Sequence, residues 1–235
     1  MAIKYKEIGN SIEERIISGV YKQSKKLPTE EELMREYMVS RNTIRKAISL
    51  LVDRGYLYQV QGSGIFIRQT SKDGFITLGN MRGLTGDFPS KKITTKLLEL
   101  RVIEASEELA EKMRCVVGTN LYFVKRLRFL DDENFAVEYS YYNKDIVPYL
   151  NNEIVEKSIY EYILKDLKLN IGFADKMIYC DKLDNEHSEL LCLDEGDPAT
   201  IIEDTVFLTN GLIFDISKVI YNYKMAKMLS LANYK

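Results

Sequence analysis

Up to about residue 55, apolar residues recur at helical spacing. Ile8, Ile12, Ile16 and Ile17 put one stripe on a segment from Lys4 to Ser18, and Gly19 offers a stop. Pro28 breaks any preceding helix. Thr29 and Glu32, three positions apart, form a capping box in which each side chain satisfies the other's free backbone donor, so a helix is predicted from Glu30 with Leu33 and Tyr37 on one face. Met38-Val39-Ser40 supplies a short turn, with Ser40 as the N-cap of a further helix from Arg41. Along that helix Ile44, Ala47, Ile48, Leu51 and Val52 share an apolar arc, while Asn42, Arg45, Lys46 and Ser49 point away from it. Gly55 ends the helix, and strands at 56–60 and 65–67 are joined across Gln61-Gly62-Ser63-Gly64. Helix, turn, helix and hairpin in this order predict a winged helix-turn-helix.

Beyond residue 68 the pattern changes. Residues 68–74 are polar and carry Thr, Ser, Lys, Asp and Gly, a linker composition. The expected division is a DNA-binding domain at 1–68, a linker and first strand at 69–79, and a second domain at 80–235. That second domain repeats itself at a spacing of about 78 residues. A short helix (107–113, then 185–191) and a turn with glycine (Gly118, Gly196) precede two strands joined by a tight turn. The strands are 120–130 with 134–142 and 199–208 with 212–223, and their turns lie at 131–134 and 209–211. With a helix at 158–167 packed on a pseudo-symmetric, mainly antiparallel sheet, the class is α+β.

Composition adds charge to this picture. The 235 residues, 46% of them hydrophobic, have room for two cores, and the net charge of −2 conceals an asymmetry. Residues 1–70 hold 12 Lys and Arg against 8 Asp and Glu, whereas the remainder holds 21 against 27. The positive end is the end that is to meet DNA. A surplus of four charges is modest for tight binding by one copy, so a homodimer reading two half-sites is expected. No apolar run approaches the ~20 residues of a membrane span, and Met1 to Lys6 lacks the apolar stretch of a signal peptide, so a cytoplasmic protein is expected. Cys115, Cys180 and Cys192 are odd in number and widely spaced, which fits reduced core thiols.

Several residues carry recognition chemistry. Ser40, Arg41, Asn42, Thr43 and Arg45 crowd the leading end of the second helix. Guanidinium groups there can bind guanine edges bidentately, Asn can do the same for adenine, and the free backbone amides can hold a phosphate. The glycines let the hairpin tip approach a sugar-phosphate backbone, with Gln61 placed to reach a groove edge. The runs Leu-Pro-Thr-Glu-Glu-Glu-Leu, Val39-Ser40-Arg41-Asn42-Thr43-Ile44-Arg45, and Gly55-Tyr56-Leu57 with Gln61-Gly62-Ser63-Gly64-Ile65-Phe66-Ile67 resemble the GntR family of bacterial transcription regulators. That resemblance implies operator contacts for Arg41, Thr43, Arg45, Gln61 and Gly62. Many relatives carry Arg where Glu31 stands, so either that phosphate contact is missing here or Arg35 replaces it.

The second half, from about 75 to 225, resembles the UTRA effector domain of the HutC subfamily. The resemblance rests on Val124-Lys125-Arg126-Leu127-Arg128, Ala136 to Tyr142, Ser158-Ile159-Tyr160, Leu193-Asp194-Glu195-Gly196-Asp197-Pro198, and the Asn210-Gly211 turn leading to Asp215, Ser217 and Tyr221. Arg126 and Arg128, two apart on a strand, can converge on one anion; equally, alternating charges describe a solvated face, with Arg126 and Glu138 a cross-strand ion pair. The resemblance implies an effector pocket lined by Arg126, Arg128, Glu138, Ser158, Tyr160, Asp215 and Tyr221, with Thr85 as a further candidate. A sugar phosphate or similar anion is the expected ligand, with no metal and no cofactor. Asp215 departs from the Glu of many relatives, which shifts any hydroxyl contact by one methylene.

These readings add up to a sequence-specific repressor released by a small phosphorylated metabolite. Because the UTRA fold resembles chorismate lyase, an enzyme of that fold remains one alternative, and a regulator responding to a non-phosphorylated ligand is the other. Against it, His187 is the single histidine and sits among polar neighbours where a solvated ring is expected, and no nucleophile elbow, P-loop or Rossmann fingerprint is present. No catalytic residue is assigned.

Overall fold

In the computed structural model, residues 2–21, 23–68, 74–79, 83–88 and 90–230 are described, without the side chains of Ala2, Ile3 and Thr85. They form two compact units. The predicted linker at 69–79 falls partly outside the described residues.

The first unit holds α1 (Ala2–Ile17), α2 (Glu30–Tyr37), α3 (Arg41–Asp53), β1 (Leu57–Val60) and β2 (Gly64–Ile67). Its helix starts are set by local chemistry. The Thr29 hydroxyl accepts from the Glu32 amide at 3.3 Å while the Glu32 carboxylate accepts from the Thr29 amide at 2.7 Å, a closed capping box. Ser40 caps α3 by accepting from the Thr43 amide, and α2 stops because Met38 turns left-handed at φ 49°. One core joins these helices: Ile8 and Ile12 of α1, Leu33 of α2, and Ile44, Ala47, Ile48 and Leu51 of α3 are buried together with Leu27, Tyr56 and Leu57. Burial at this scale stabilises by roughly 1.5–3 kcal/mol for each large side chain. Gly9 lets α1 lie close to α3, since a Cβ there would stand 3.0 Å from the Leu50 side chain. Gly55, at φ 80°, turns the chain from α3 into β1. β1 and β2 pair antiparallel from Leu57 opposite Ile67 to Val60 opposite Gly64, leaving Gln61, Gly62 and Ser63 as the tip.

In chain order the remaining elements are β3 (Ile76–Thr77), α4 (Gly83–Asp87), β4 (Ile93–Glu104), α5 (Glu107–Met113), β5 (Asn120–Leu130), β6 (Glu133–Asn143), α6 (Asn152–Glu156), α7 (Ile159–Lys165), β7 (Ile171–Lys182), α8 (Asn185–Leu191), β8 (Pro198–Leu208), β9 (Ile213–Asn222) and β10 (Met228–Leu229). β3 pairs with β10 in a short ribbon. The centre of the second unit is a six-stranded antiparallel sheet in the order β4-β5-β6-β9-β8-β7. Two copies of strand, helix, strand, strand thus meet at the β6–β9 seam. The predicted repeat is present but longer than expected, because each copy opens with a strand, β4 or β7, that the sequence reading lacks. These two strands start 78 positions apart and form the two edges of the sheet.

Each face of the sheet has its own cover. α8 packs on Leu127, Val137, Ala199, Ile201 and Ile220, and α5 packs on Leu121, Phe207 and Ile213. On the other face, Val155, Ile159 and Ile163 from α6 and α7 cover Tyr122, Val124, Tyr142 and Val206. The β5–β6 turn is tighter than predicted. Asp131 and Asp132 both adopt positive φ, 51° and 68°, in a two-residue turn of the type whose twist matches that of its strands.

Candidate functional site

In the first unit the exposed end of α3 carries the predicted reading residues. Arg41, Asn42 and Arg45 are exposed, and Gln61 and Gly62 stand exposed at the hairpin tip. Gly62 adopts φ 76° with nothing among the described residues near the position a Cβ would take, so its lack of a side chain serves conformation and close approach. The hydroxyls of Ser40 and Thr43 are 3.0 Å apart, so both take part in the cap as well as lying at the helix start. Two acids of α2 reach these arginines. The Arg45 Nε donates to both carboxylate oxygens of Glu30 at 2.9 and 3.1 Å, and the Arg41 Nη2 donates to Glu31 at 3.2 Å. Arg35 is exposed, donates weakly to the Glu31 carbonyl at 3.4 Å, and lines one shallow hollow with Glu31, Ser40 and Arg41.

In the second unit, register brings distant residues to one face, because paired residues on neighbouring strands point the same way. Arg126 lies opposite Glu138, Arg128 opposite Ala136 and then Tyr221, and Tyr142 opposite Asp215. Arg126 donates from Nη2 to Glu138 at 2.5 Å and from Nη1 to the Val155 carbonyl at 2.9 Å, while Arg128 Nη1 donates to the second Glu138 oxygen at 3.1 Å. Two guanidinium groups therefore share one carboxylate. The solvated-face alternative does not hold, since Arg126 and Arg128 are only 4% and 7% exposed. The ion pair of that alternative is present, but it is buried.

Electrostatics sharpen this arrangement. Burial opposes ionisation of Glu138, yet the charges and hydrogen bonds of Arg126 and Arg128 hold its carboxyl down at about 2. Asp215 goes the other way. Burial, helped by the negative charges of Glu138 and Asp204 and opposed by the Tyr160 hydrogen bond and Arg126, raises it to about 8. The Tyr160 hydroxyl donates to Asp215 Oδ2 at 2.8 Å. Among the described residues, Asp215 Oδ1 and the Nε groups of Arg126 and Arg128 are buried with no hydrogen-bond partner. Ser158 caps α7 by accepting from the Glu161 amide at 3.3 Å. Tyr221 is buried and stacks edge-on with Phe135, which meets Phe88 just after α4. Thr85 lies on α4, but its side chain falls outside the described residues.

The sequence reading missed several residues on this face. Register places Ser140, Ser217, Asp204 and Lys176 in one row across β6, β9, β8 and β7. Lys176 pairs with Asp204 at 2.7 Å. Ser217, two positions beyond Asp215, was legible from the strand period; Lys176 was not, because its strand was not foreseen.

Two expectations need correction. The His187 ring is not solvated. Its Nδ1 meets Asp184 at 2.6 Å and its Nε2 meets the Tyr139 hydroxyl at 2.8 Å, a structural tie between α8 and β6. The cysteines are free but not core residues, since Cys180 and Cys192 are exposed and Cys115 is half-buried. Among the described residues no helix is long and apolar enough to cross a membrane, and no cluster of His, Cys, Asp and Glu could hold a metal ion.

Comparison with known proteins places these features in context. Residues 4–67 match the model of the bacterial regulatory proteins of the gntR family, and residues 90–227 match the UTRA domain. The HTH-type transcriptional regulator YydK of Bacillus subtilis is 40% identical over 98% of both chains. Its crystal structure superposes with a TM-score of 0.80 over 98% of this chain and 99% of that one. The HTH-type transcriptional repressor NagR of Bacillus subtilis is 27% identical over 92% of this chain and 89% of its own. The mannosyl-D-glycerate transport/metabolism system repressor MngR of Escherichia coli is 26% identical over 98% and 96%. These relatives are regulators, which removes the enzyme alternative.

Proposed function

Since this chain belongs to the GntR family of transcription regulators and carries the UTRA domain of its HutC branch, we propose that it is a repressor released from its operator by a small phosphorylated metabolite such as a sugar phosphate. In this reading Arg41, Asn42, Thr43 and Arg45 read the major groove, Gln61 and Gly62 approach the backbone at its edge, and Ser40 and Arg35 hold phosphate. A homodimer supplies two such heads, matching the modest positive charge of one.

The observation that carries the ligand assignment is the buried pair Arg126 and Arg128 sharing the single carboxylate of Glu138, with both Nε donors unpartnered among the described residues. Leaving such donors buried and unsatisfied costs about 1–3 kcal/mol each, which an anion with several acceptor oxygens recovers. Asp215, protonated near neutral pH, presents Oδ1 as a hydroxyl donor or acceptor suited to a sugar, with Tyr160 bonded to its other oxygen, and in this reading Tyr221 and Ser158 complete the polar lining. Two relatives are named as repressors, one of them of a system for a glycosylated acid, in keeping with a hydroxylated anion. Ligand acts by binding the two states unequally; a ~100-fold difference in affinity is about 2.7 kcal/mol per site.

The test is a thermal-shift screen against sugar phosphates, free sugars, amino acids and small carboxylates, repeated on Arg126→Ala. A stabilising phosphorylated compound whose effect vanishes in the variant is the expected result. Stabilisation by unphosphorylated compounds alone removes the phosphate assignment.

A further inference from the structure

The acids of α2 engage the two recognition arginines in different ways, and the difference is chemical. Arg45 gives only its Nε to Glu30, and among the described residues its two terminal amino groups have no partner. Those two groups are the fork that binds guanine O6 and N7. Glu30, with a side chain only 26% exposed, thus fixes Arg45 from behind and leaves its reading edge free. Arg41 is held from the front. Its Nη2, one prong of the same fork, is given to Glu31, whose side chain is 67% exposed, while its Nε lies 3.7 Å from Glu30.

We propose that Glu31 is a specificity-determining residue that competes with DNA for Arg41, suppressing attachment to phosphates of arbitrary sequence, while Glu30 is a positioning residue for Arg45. The inference rests on the reading that Arg41 and Arg45 contact the operator. Non-specific attachment is dominated by phosphate charge, and it gains little from an arginine already neutralised by a neighbouring carboxylate. A guanine edge offers two acceptors in the fork's geometry and so can displace Glu31, whereas a lone phosphate contact beside an acid recovers less. The two acids therefore have opposite expected effects on DNA binding, although both are removed by the same change in charge.

The experiment uses the full chain with Glu30→Gln, Glu31→Gln, Arg41→Ala and Arg45→Ala. Each protein selects from a library of 30-base-pair duplexes with a randomised core, and is then titrated against the enriched duplex and against one fixed duplex of arbitrary sequence at several salt concentrations. Glu31 is exposed, Glu30 is half-buried but outside the core, and the capping box of Thr29 and Glu32 is untouched, so the variants keep their fold, as far-ultraviolet circular dichroism checks.

Glu31→Gln is expected to tighten binding to the arbitrary duplex about fivefold. It should steepen the dependence of log K on log salt by about one per head and blur the enriched motif. Glu30→Gln is expected to weaken binding to the enriched duplex about tenfold, as Arg45 loses its support. If Glu31→Gln changes neither the arbitrary duplex nor the motif while Arg41→Ala abolishes enrichment, the competition is refuted and the operator reading stands. If Arg41→Ala and Arg45→Ala both select as the native protein does, the operator reading itself fails, and the inference with it.

Discussion

Replacing Asp215 by asparagine tests the electrostatics of the second unit, because the substitution keeps the side chain's shape and removes its proton. Asp215 is 1% exposed, accepts from Tyr160 through one oxygen, and has its carboxyl raised to about 8. In the unfolded chain the same group ionises near 3.9. Between these values the folded chain holds a proton that the unfolded chain has released, so this contribution to stability is full below about pH 4 and is lost as pH rises through about 8. The slope approaches about 1.4 kcal/mol per pH unit, and from pH 5 to pH 8 the loss sums to about 4 kcal/mol. The amide of the Asp215→Asn variant cannot ionise, and its carbonyl can still accept from Tyr160. Urea unfolding of both proteins, followed by far-ultraviolet circular dichroism at pH 5, 6, 7 and 8, should show the variant gaining on the native chain at each step. Other titrating groups cancel in the difference. Parallel stability profiles would refute the reasoning, since they would mean that Asp215 ionises normally in the folded chain.

Further outcomes follow from the same structure. Glu138→Ala strands two buried guanidinium groups and should destabilise by about 3–5 kcal/mol in urea unfolding at pH 7. Its pH dependence has the opposite sign to that of Asp215. Because Glu138 is held at about 2, its contribution is present above about pH 4.5 and fades as pH falls toward 2, so the gap between native and variant should narrow in acid. Thr29→Ala opens the capping box and should cost about 1 kcal/mol, read as earlier amide exchange in α2. Leu51→Ala, at a fully buried position, should cost about 2–5 kcal/mol in the first unit and weaken DNA binding through loss of α3 packing.

The first unit was legible because its signals are local. A capping box, an N-cap three residues before its partner, and a helical stripe of Ile44, Ala47, Ile48 and Leu51 need no knowledge of distant contacts. The hairpin β5–β6 was legible for the same reason, with alternation on both sides of a turn rich in Asp. β4 and β7 were not. They form the sheet's edges, each paired on one side only, and most of their residues keep contact with solvent; β7 shows no clear apolar alternation, and in β4 it is confined to the short stretch Leu98 to Val102. Their absence from the sequence reading hid Lys176 and the row it completes. Arg126 and Glu138 were expected to meet because they sit on neighbouring strands, but their depth was not legible, since the helices that bury them follow later in the chain. His187 misled for a related reason: its polar neighbours indicate exposure, while its partner Tyr139 lies 48 positions away on β6.

The central claim is that one small anion, bound between Arg126 and Arg128, loosens the protein's hold on DNA. Fluorescence anisotropy tests it most directly: the full chain is bound to its enriched duplex and titrated with the compound that stabilises it most in the thermal-shift screen. The account predicts release of the native protein by a phosphorylated compound, and a complex that the same compound leaves intact in the Arg128→Ala variant. A native complex that withstands saturating ligand, or one released equally well from the Arg128→Ala variant, would contradict it.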